Sequence, residues 1–236
     1  MKKWIATLAA VFALCAILSA CKITIDTPPT TEAKTVTAQI APDFPALYAP
    51  LIAEWKAAFE SALNEDWDSE ALSFDFYDNS DPASIKAYYA IYDIDGNGTP
   101  ELILRKTNGY EDIVAYIFTW KDSEAINVFG YDEEGLPVEV PWSRSGACDI
   151  LSNGLIDCMN GNYAIYKIAG GRAVKLASME PYDYQDEASL AEAKWRYYIN
   201  GDTQVGYGAY AAYLDTQGYT LNEENERAKI NWSILD

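Results

Sequence analysis

The sequence predicts an α+β domain: a mainly antiparallel β-meander flanked by an N-terminal helix and a C-terminal helix. Three observations lead there. Apolar residues recur every three or four places between Ala46 and Asn64. From Ile85 onward, short β-rich runs alternate with tight turns, and such connections leave no room for the helical crossovers that parallel strands need. Helical spacing then returns at Tyr207, Tyr210, Ala211 and Leu214 and stops where Gly218 stands.

Taken in order, the first twenty residues carry Lys2 and Lys3, then an apolar run from Trp4 to Leu18, and no acidic residue. That is the layout of a secretory signal. An uncleaved anchor helix is the competing reading, but about 15 apolar residues fall short of the roughly 20 that span a bilayer. Lys22 to Pro45 is rich in Thr and Pro, with Pro28-Pro29-Thr30-Thr31 at its centre, so residues 21–45 read as an extended tether and 46–236 as one globular domain.

Within that domain, Tyr48, Leu51, Ile52, Trp55, Phe59 and Leu63 form the apolar stripe of a helix beginning just after Pro45. Asp66 to Ser84 is polar and broken by Asn79-Ser80-Asp81-Pro82. Strands follow at Ile85–Asp93, Glu101–Lys106, Ile113–Trp120, Ala125–Phe129, Tyr163–Ala169 and Arg172–Ser178. Turns between them fall at Asn108-Gly109, Asp132 to Gly135, Asn160-Gly161 and Gly170-Gly171. Asp186 to Trp195 reads as a short helix and Tyr197-Tyr198-Ile199 as a strand ending at Asn200-Gly201.

The 36 Asp and Glu outnumber the 17 Lys and Arg. Losing Lys2 and Lys3 with residues 1–20 leaves 15 basic residues, a net charge of about −21, which repels phosphate backbones and anionic headgroups. Nucleic acid is therefore excluded as a partner, and the expected ligand is neutral or cationic, a glycan or a protein among the options. A solvated acidic surface with no partner at all is the plainer alternative.

Of four cysteines, Cys15 leaves with the signal and Cys21 stands at its end, so Cys148 and Cys158 remain as a pair in an oxidising compartment. A three-residue turn at Ser152-Asn153-Gly154 sets Leu151 opposite Leu155, Ile150 opposite Ile156, Asp149 opposite Asp157 and Cys148 opposite Cys158. A cross-strand disulfide is expected, with two buried thiols as the alternative.

Leu18-Ser19-Ala20-Cys21, directly after the apolar run, resembles the lipobox of bacterial lipoproteins. The resemblance implies cleavage before Cys21, acyl chains on its sulfur and a place on the outer face of the cell membrane. An ordinary signal peptide with an unrelated cysteine competes with it. Each buried methylene contributes about 0.8 kcal/mol, so two or three chains anchor stably where one does not.

One segment carries chemistry. In Asp93-Ile94-Asp95-Gly96-Asn97-Gly98-Thr99-Pro100-Glu101-Leu102, oxygen-bearing side chains fall at alternate positions, and the glycines let the backbone curl so that they converge. Calcium takes six to eight such oxygens in a flexible cage. The segment resembles the D-x-D-x-N-G-x-x-D/E calcium loops of integrin-like extracellular β-domains, and also a stretch met in many uncharacterised bacterial lipoproteins. By that resemblance Asp93, Asp95 and Asn97 offer side-chain oxygens, Thr99 its carbonyl and Glu101 a carboxylate. Pro100 at the eighth position and Leu104 at the twelfth depart from the EF-hand pattern, so the site is expected between two strands. A metal-free acidic turn is the alternative.

The absence of histidine removes Ser-His and Cys-His nucleophile systems and the usual zinc sets. Three readings remain: a calcium-stabilised lipoprotein that binds a ligand or supports the envelope, a surface hydrolase using paired carboxylates, and an inhibitor with a protruding acidic loop.

Overall fold

The computed structural model describes residues 42–64, 72, 84–107, 112–141, 148–158, 163–181, 195–221 and 223–235. The signal, Cys21 and nearly all of the tether lie outside these. So do the turns at Asn108-Gly109 and Asn160-Gly161, and residues 186–194 of the expected short helix.

Helix α1 (Phe44–Leu63) starts slightly earlier than its apolar stripe indicates. The reason is a cap: the Asp43 side chain accepts the Ala46 N–H at 3.3 Å, and Pro45 sits in the first turn, where its missing donor costs nothing. Strands β1 (Ala87–Tyr92), β2 (Glu101–Thr107), β3 (Asp112–Lys121) and β4 (Glu124–Asn127) then form an antiparallel run. Next come β5 (Asp149–Ile150), β6 (Leu155–Cys158), β7 (Ala164–Ala169), β8 (Arg172–Pro181), β9 (Trp195–Ile199) and β10 (Thr203–Val205), then helix α2 (Tyr207–Thr216) and a last strand β11 (Ser233–Leu235).

The architecture is α+β and antiparallel throughout its described pairings, but the expected single meander divides into two sheets. Their orders are β11-β1-β2-β3-β4 and β10-β9-β8-β7-β6-β5. Strand β11 pairs with β1 from the far end of the sequence, where no turn announces it. Trp195 opens β9 opposite Pro181 and does not close a helix.

Alternation along the strands sorts the core into layers. Leu102 and Leu104 of β2 pack with Tyr48, Trp55 and Phe59 of α1, whereas Ile103 faces the second sheet. The sheet-on-sheet core joins Ile103, Val114 and Ile117 to Ile150, Ile156, Ile168 and the Cys148–Cys158 pair. On the outer face of the second sheet, Tyr210 and Leu214 of α2 cover Leu151, Leu155, Ile165 and Leu176. The order of layers is thus helix, sheet, sheet, helix. Among the described residues no helix is long and apolar enough to cross a membrane.

The cystine hairpin keeps the expected register, with Asp149 opposite Asp157 and Ile150 opposite Ile156. The Leu151 N–H donates to the Leu155 carbonyl at 2.9 Å, and the disulfide Cys148–Cys158 closes the pair. Leu151 also bridges to Arg227, which carries the chain after α2 along the β5 edge.

Candidate metal centre

Strands β1 and β2 pair from Ala87–Lys106 to Tyr92–Glu101, so the loop between them starts and ends at a fixed separation. Asp93 leaves β1 as Glu101 enters β2. Two glycines make the curl: Gly96 at φ +70 and Gly98 at φ +86 occupy the left-handed region that glycine alone enters without a side-chain penalty.

The Asp93 carboxylate acts as the loop's internal template. Its Oδ1 accepts the Asn97 N–H at 3.1 Å and its Oδ2 the Gly98 N–H at 2.9 Å. Asp95 accepts the Asn97 N–H at 3.2 Å and the Asn97 Nδ2 at 2.9 Å. These bonds fold the segment back, so that Asp93, Asp95 and Glu101 each present a carboxylate oxygen within 4.8 Å of the others. Such a group can hold a metal ion.

The three carboxylates among the five residues singled out in the sequence, Asp93, Asp95 and Glu101, thus come together. Asn97 turns its Oδ1 onto the Thr99 N–H at 2.7 Å, so that oxygen closes the loop, and Thr99 contributes its backbone donor to the same turn.

Glu101 is wholly buried, which its sequence position did not reveal. Its Oε2 accepts the Ile94 N–H at 2.9 Å and its Oε1 the Thr119 hydroxyl at 3.0 Å. Burial pushes its carboxyl up to about 7, and the Asp95 and Asp93 charges push the same way, against the pull of the Ile94 N–H and the Thr119 hydroxyl. Thr119 stands 18 residues away on β3, and no local pattern marks it.

Two further elements brace the loop. The Tyr48 hydroxyl of α1 donates to the Pro100 carbonyl at 2.9 Å. On the other side, the turn of the cystine hairpin brings Gly154 against the Ile94 carbonyl, so closely that a Cβ there would stand 2.5 Å from the oxygen.

The other acidic stretches behave as turns. Asp132 caps its own, accepting the Leu136 N–H at 2.8 Å, and Asn225 ties the loop around Glu223 and Glu224 to Thr220. Trp142, Tyr182 and Tyr184, aromatics of a type that stacks on sugar rings, lie outside the described residues. Trp195 packs edge-on against Tyr163, with ring centroids 5.0 Å apart. No protein-family model matches the chain, and neither the curated proteins nor the solved structures give a significant match.

Proposed function

We propose that the chain is an exported lipoprotein, held on the outer face of the cell membrane by acyl chains on Cys21, whose β1–β2 loop binds a structural calcium ion and whose folded domain binds a ligand. The observation that carries the calcium reading is the convergence of Asp93, Asp95 and Glu101 within 4.8 Å. Charges about 4 Å apart at an effective dielectric near 20 repel by about 4 kcal/mol, and a divalent cation reverses the sign of that term. All-oxygen donors suit a hard ion, and the flexible Gly-rich loop suits calcium's larger, less regular shell better than magnesium's octahedron.

A structural role is supported by the burial of Glu101 at the start of β2 and by the bonds through which Asp93 and Asp95 also hold the turn. At the roughly 10⁻⁴ to 10⁻³ M affinity of extracellular modules, millimolar calcium stabilises the fold by about 1 to 2 kcal/mol. The test is a thermal melt of the full-length protein with and without millimolar calcium. Calcium raises the melting temperature of the wild type and leaves Asp95→Ala unmoved; an unchanged wild type refutes the site.

Binding is favoured over hydrolysis by the state of the second acidic pair, Asp149 and Asp157. Arg227 binds Asp149 at 3.0 Å and the Tyr219 hydroxyl bonds to Asp157, so both carboxylates are engaged within the fold, although burial raises the Asp149 carboxyl against the Arg227 and Arg105 charges.

A further inference from the structure

The disulfide joins two parts of the second sheet that are otherwise lightly held to each other. Strand β6 is tied to β7 over four pairs, from Leu155–Lys167 to Cys158–Ala164. Strand β5 is tied on its outer side to the chain after α2: the Ala228 N–H donates to the Ile150 carbonyl and the Ser152 N–H to the Glu226 carbonyl, both at 2.8 Å. Between β5 and β6 the ladder holds two pairs, and one of them sets Asp149 opposite Asp157. Like charges in that position oppose pairing. The Arg227 guanidinium and the Tyr219 hydroxyl engage the two carboxylates, but the Arg227 side chain is 67% exposed, where an ion pair contributes little. The Cys148–Cys158 bond stands one residue from the opposed carboxylates and holds the strands together.

The hairpin so closed bears on the carboxylate loop through Ile94. Its turn sets Gly154 against the Ile94 carbonyl. Among residues 93–100, Ile94 is the one that is buried, and its side chain packs in the same cluster as Cys148, Cys158, Ile150 and Ile156. Its N–H reaches Glu101. The bond also has an approach from outside, because Cys148 lines a hollow of about 140 Å³ together with Arg105, Asp112, Asp149 and Arg227. Two guanidiniums balance two carboxylates there, so an incoming thiolate meets no local net charge on a chain that otherwise carries −19. Cys158 lies deeper, with no exposed surface.

We propose that the Cys148–Cys158 disulfide is a redox switch for the β1–β2 loop, opened by a dithiol reductant. A thiolate of the reductant attacks the Cys148 sulfur, the Cys148–Cys158 bond breaks, and Cys158 leaves as a thiolate. The second thiol of the reductant, deprotonated in turn, displaces Cys148 from the mixed disulfide. The protein thereby gains two electrons and two protons, and the reductant is left as its own disulfide. Without the cross-link, β5 stays with the chain after α2 and β6 stays with β7. The turn between them shifts, Gly154 leaves Ile94, and the Glu101 carboxylate loses its fixed place. Calcium is then held about tenfold less tightly, within the usual range of coupling between two sites. This regulation rests on the calcium reading of the loop.

Calorimetric titration of calcium into the full-length protein, oxidised and in dithiothreitol with free thiols counted alongside, tests it. The reduced protein stays folded and its calcium midpoint lies about tenfold higher. Cys148→Ala/Cys158→Ala matches the reduced protein and ignores dithiothreitol. Linkage requires the converse as well: saturating calcium raises by the same factor the dithiothreitol needed to reduce half of the protein. In chelator, reduction moves the amide resonances of Ile94, Asn97 and Gly98, whereas those of Tyr198 and Gln204 at the far edge of the second sheet stay in place. A disulfide that dithiothreitol leaves intact in the folded protein, a chain that unfolds altogether on reduction, or unmoved loop resonances overturns the switch. Equal calcium midpoints in the two states overturn it too and leave the calcium site standing. No calcium response from the oxidised protein refutes the calcium site and its regulation together.

Discussion

Gly154 of the cystine hairpin presses on the carbonyl of Ile94 in the carboxylate loop, at a distance that leaves no space for a side chain. Ile94 in turn donates its N–H to Glu101. One residue thus links the second sheet to the loop between β1 and β2 of the first.

Gly154→Ala probes that link. The site has φ +82 and the new Cβ would meet backbone oxygen at 2.5 Å, so both torsional strain and a clash fall on one residue. The variant loses about 1 to 3 kcal/mol in a denaturant titration, and its calcium midpoint moves to higher concentration because Ile94 shifts. Wild-type stability and calcium response in Gly154→Ala would contradict the contact.

Glu101 predicts a pH dependence of definite sign. Its carboxyl stands at about 7 in the calcium-free fold against 4.5 as its ordinary value, so between those values the native state binds the proton that the unfolded chain has lost. Stability from this group is full below about pH 4.5 and is lost as pH rises through 7. Denaturation midpoints of wild type minus Glu101→Gln, measured in chelator, decline across that window, and saturating calcium flattens the decline because it holds the ionised form. A difference that rises with pH would show the opposite shift.

The disulfide spans a separation of 10 residues and lies in the core between the sheets. Loop-closure arithmetic gives about 2 to 3 kcal/mol for a ring of that size. Cys148→Ala/Cys158→Ala falls in stability by about that amount, and reductant then has no further effect on the variant. A wild type equally stable before and after full reduction would remove the disulfide from the account.

Lys106 has a fully buried side chain and pairs with Glu139 at 2.8 Å. Lys106→Ala removes the buried charge that faces the Glu139 carboxylate and costs about 3 kcal/mol, whereas Lys106→Met with Glu139→Gln recovers much of the loss because both charges of the pair are gone. Chemical denaturation of the three proteins checks the order, and a double variant no better than the single one would place the cost in packing alone.

For the anchor, intact-mass measurement of the wild type gives a chain starting at Cys21 with acyl mass added. Cys21→Ala gives either the uncleaved precursor or protein released to the medium. A mature chain without fatty acid would leave an ordinary signal peptide as the reading.

Some of this was legible along the chain because it is local. The α1 stripe, the Gly218 stop at φ +76, the Ser152–Gly154 turn and the Cys148–Cys158 register each depend on residues within a few places of one another. The same holds for the spacing of Asp93, Asp95 and Glu101, since a Gly-rich turn between paired strands leaves their oxygens few places to go. Trp195 was misread because helical spacing over a few residues competes poorly with a ladder partner, here Pro181 on β8.

What the sequence by itself determined is the N-terminal helix, strands β1 to β9 apart from the start of the last, the C-terminal helix, the hairpin register and the place of the acidic loop, all products of periodicity and turn chemistry. Only the tertiary structure decided that the meander splits into two sheets, that β11 returns to β1, that Glu101 is buried beneath Thr119, and that Gly154 meets Ile94. Those outcomes depend on which apolar faces meet, and two faces distant in sequence meet only when the whole core closes and water leaves between them.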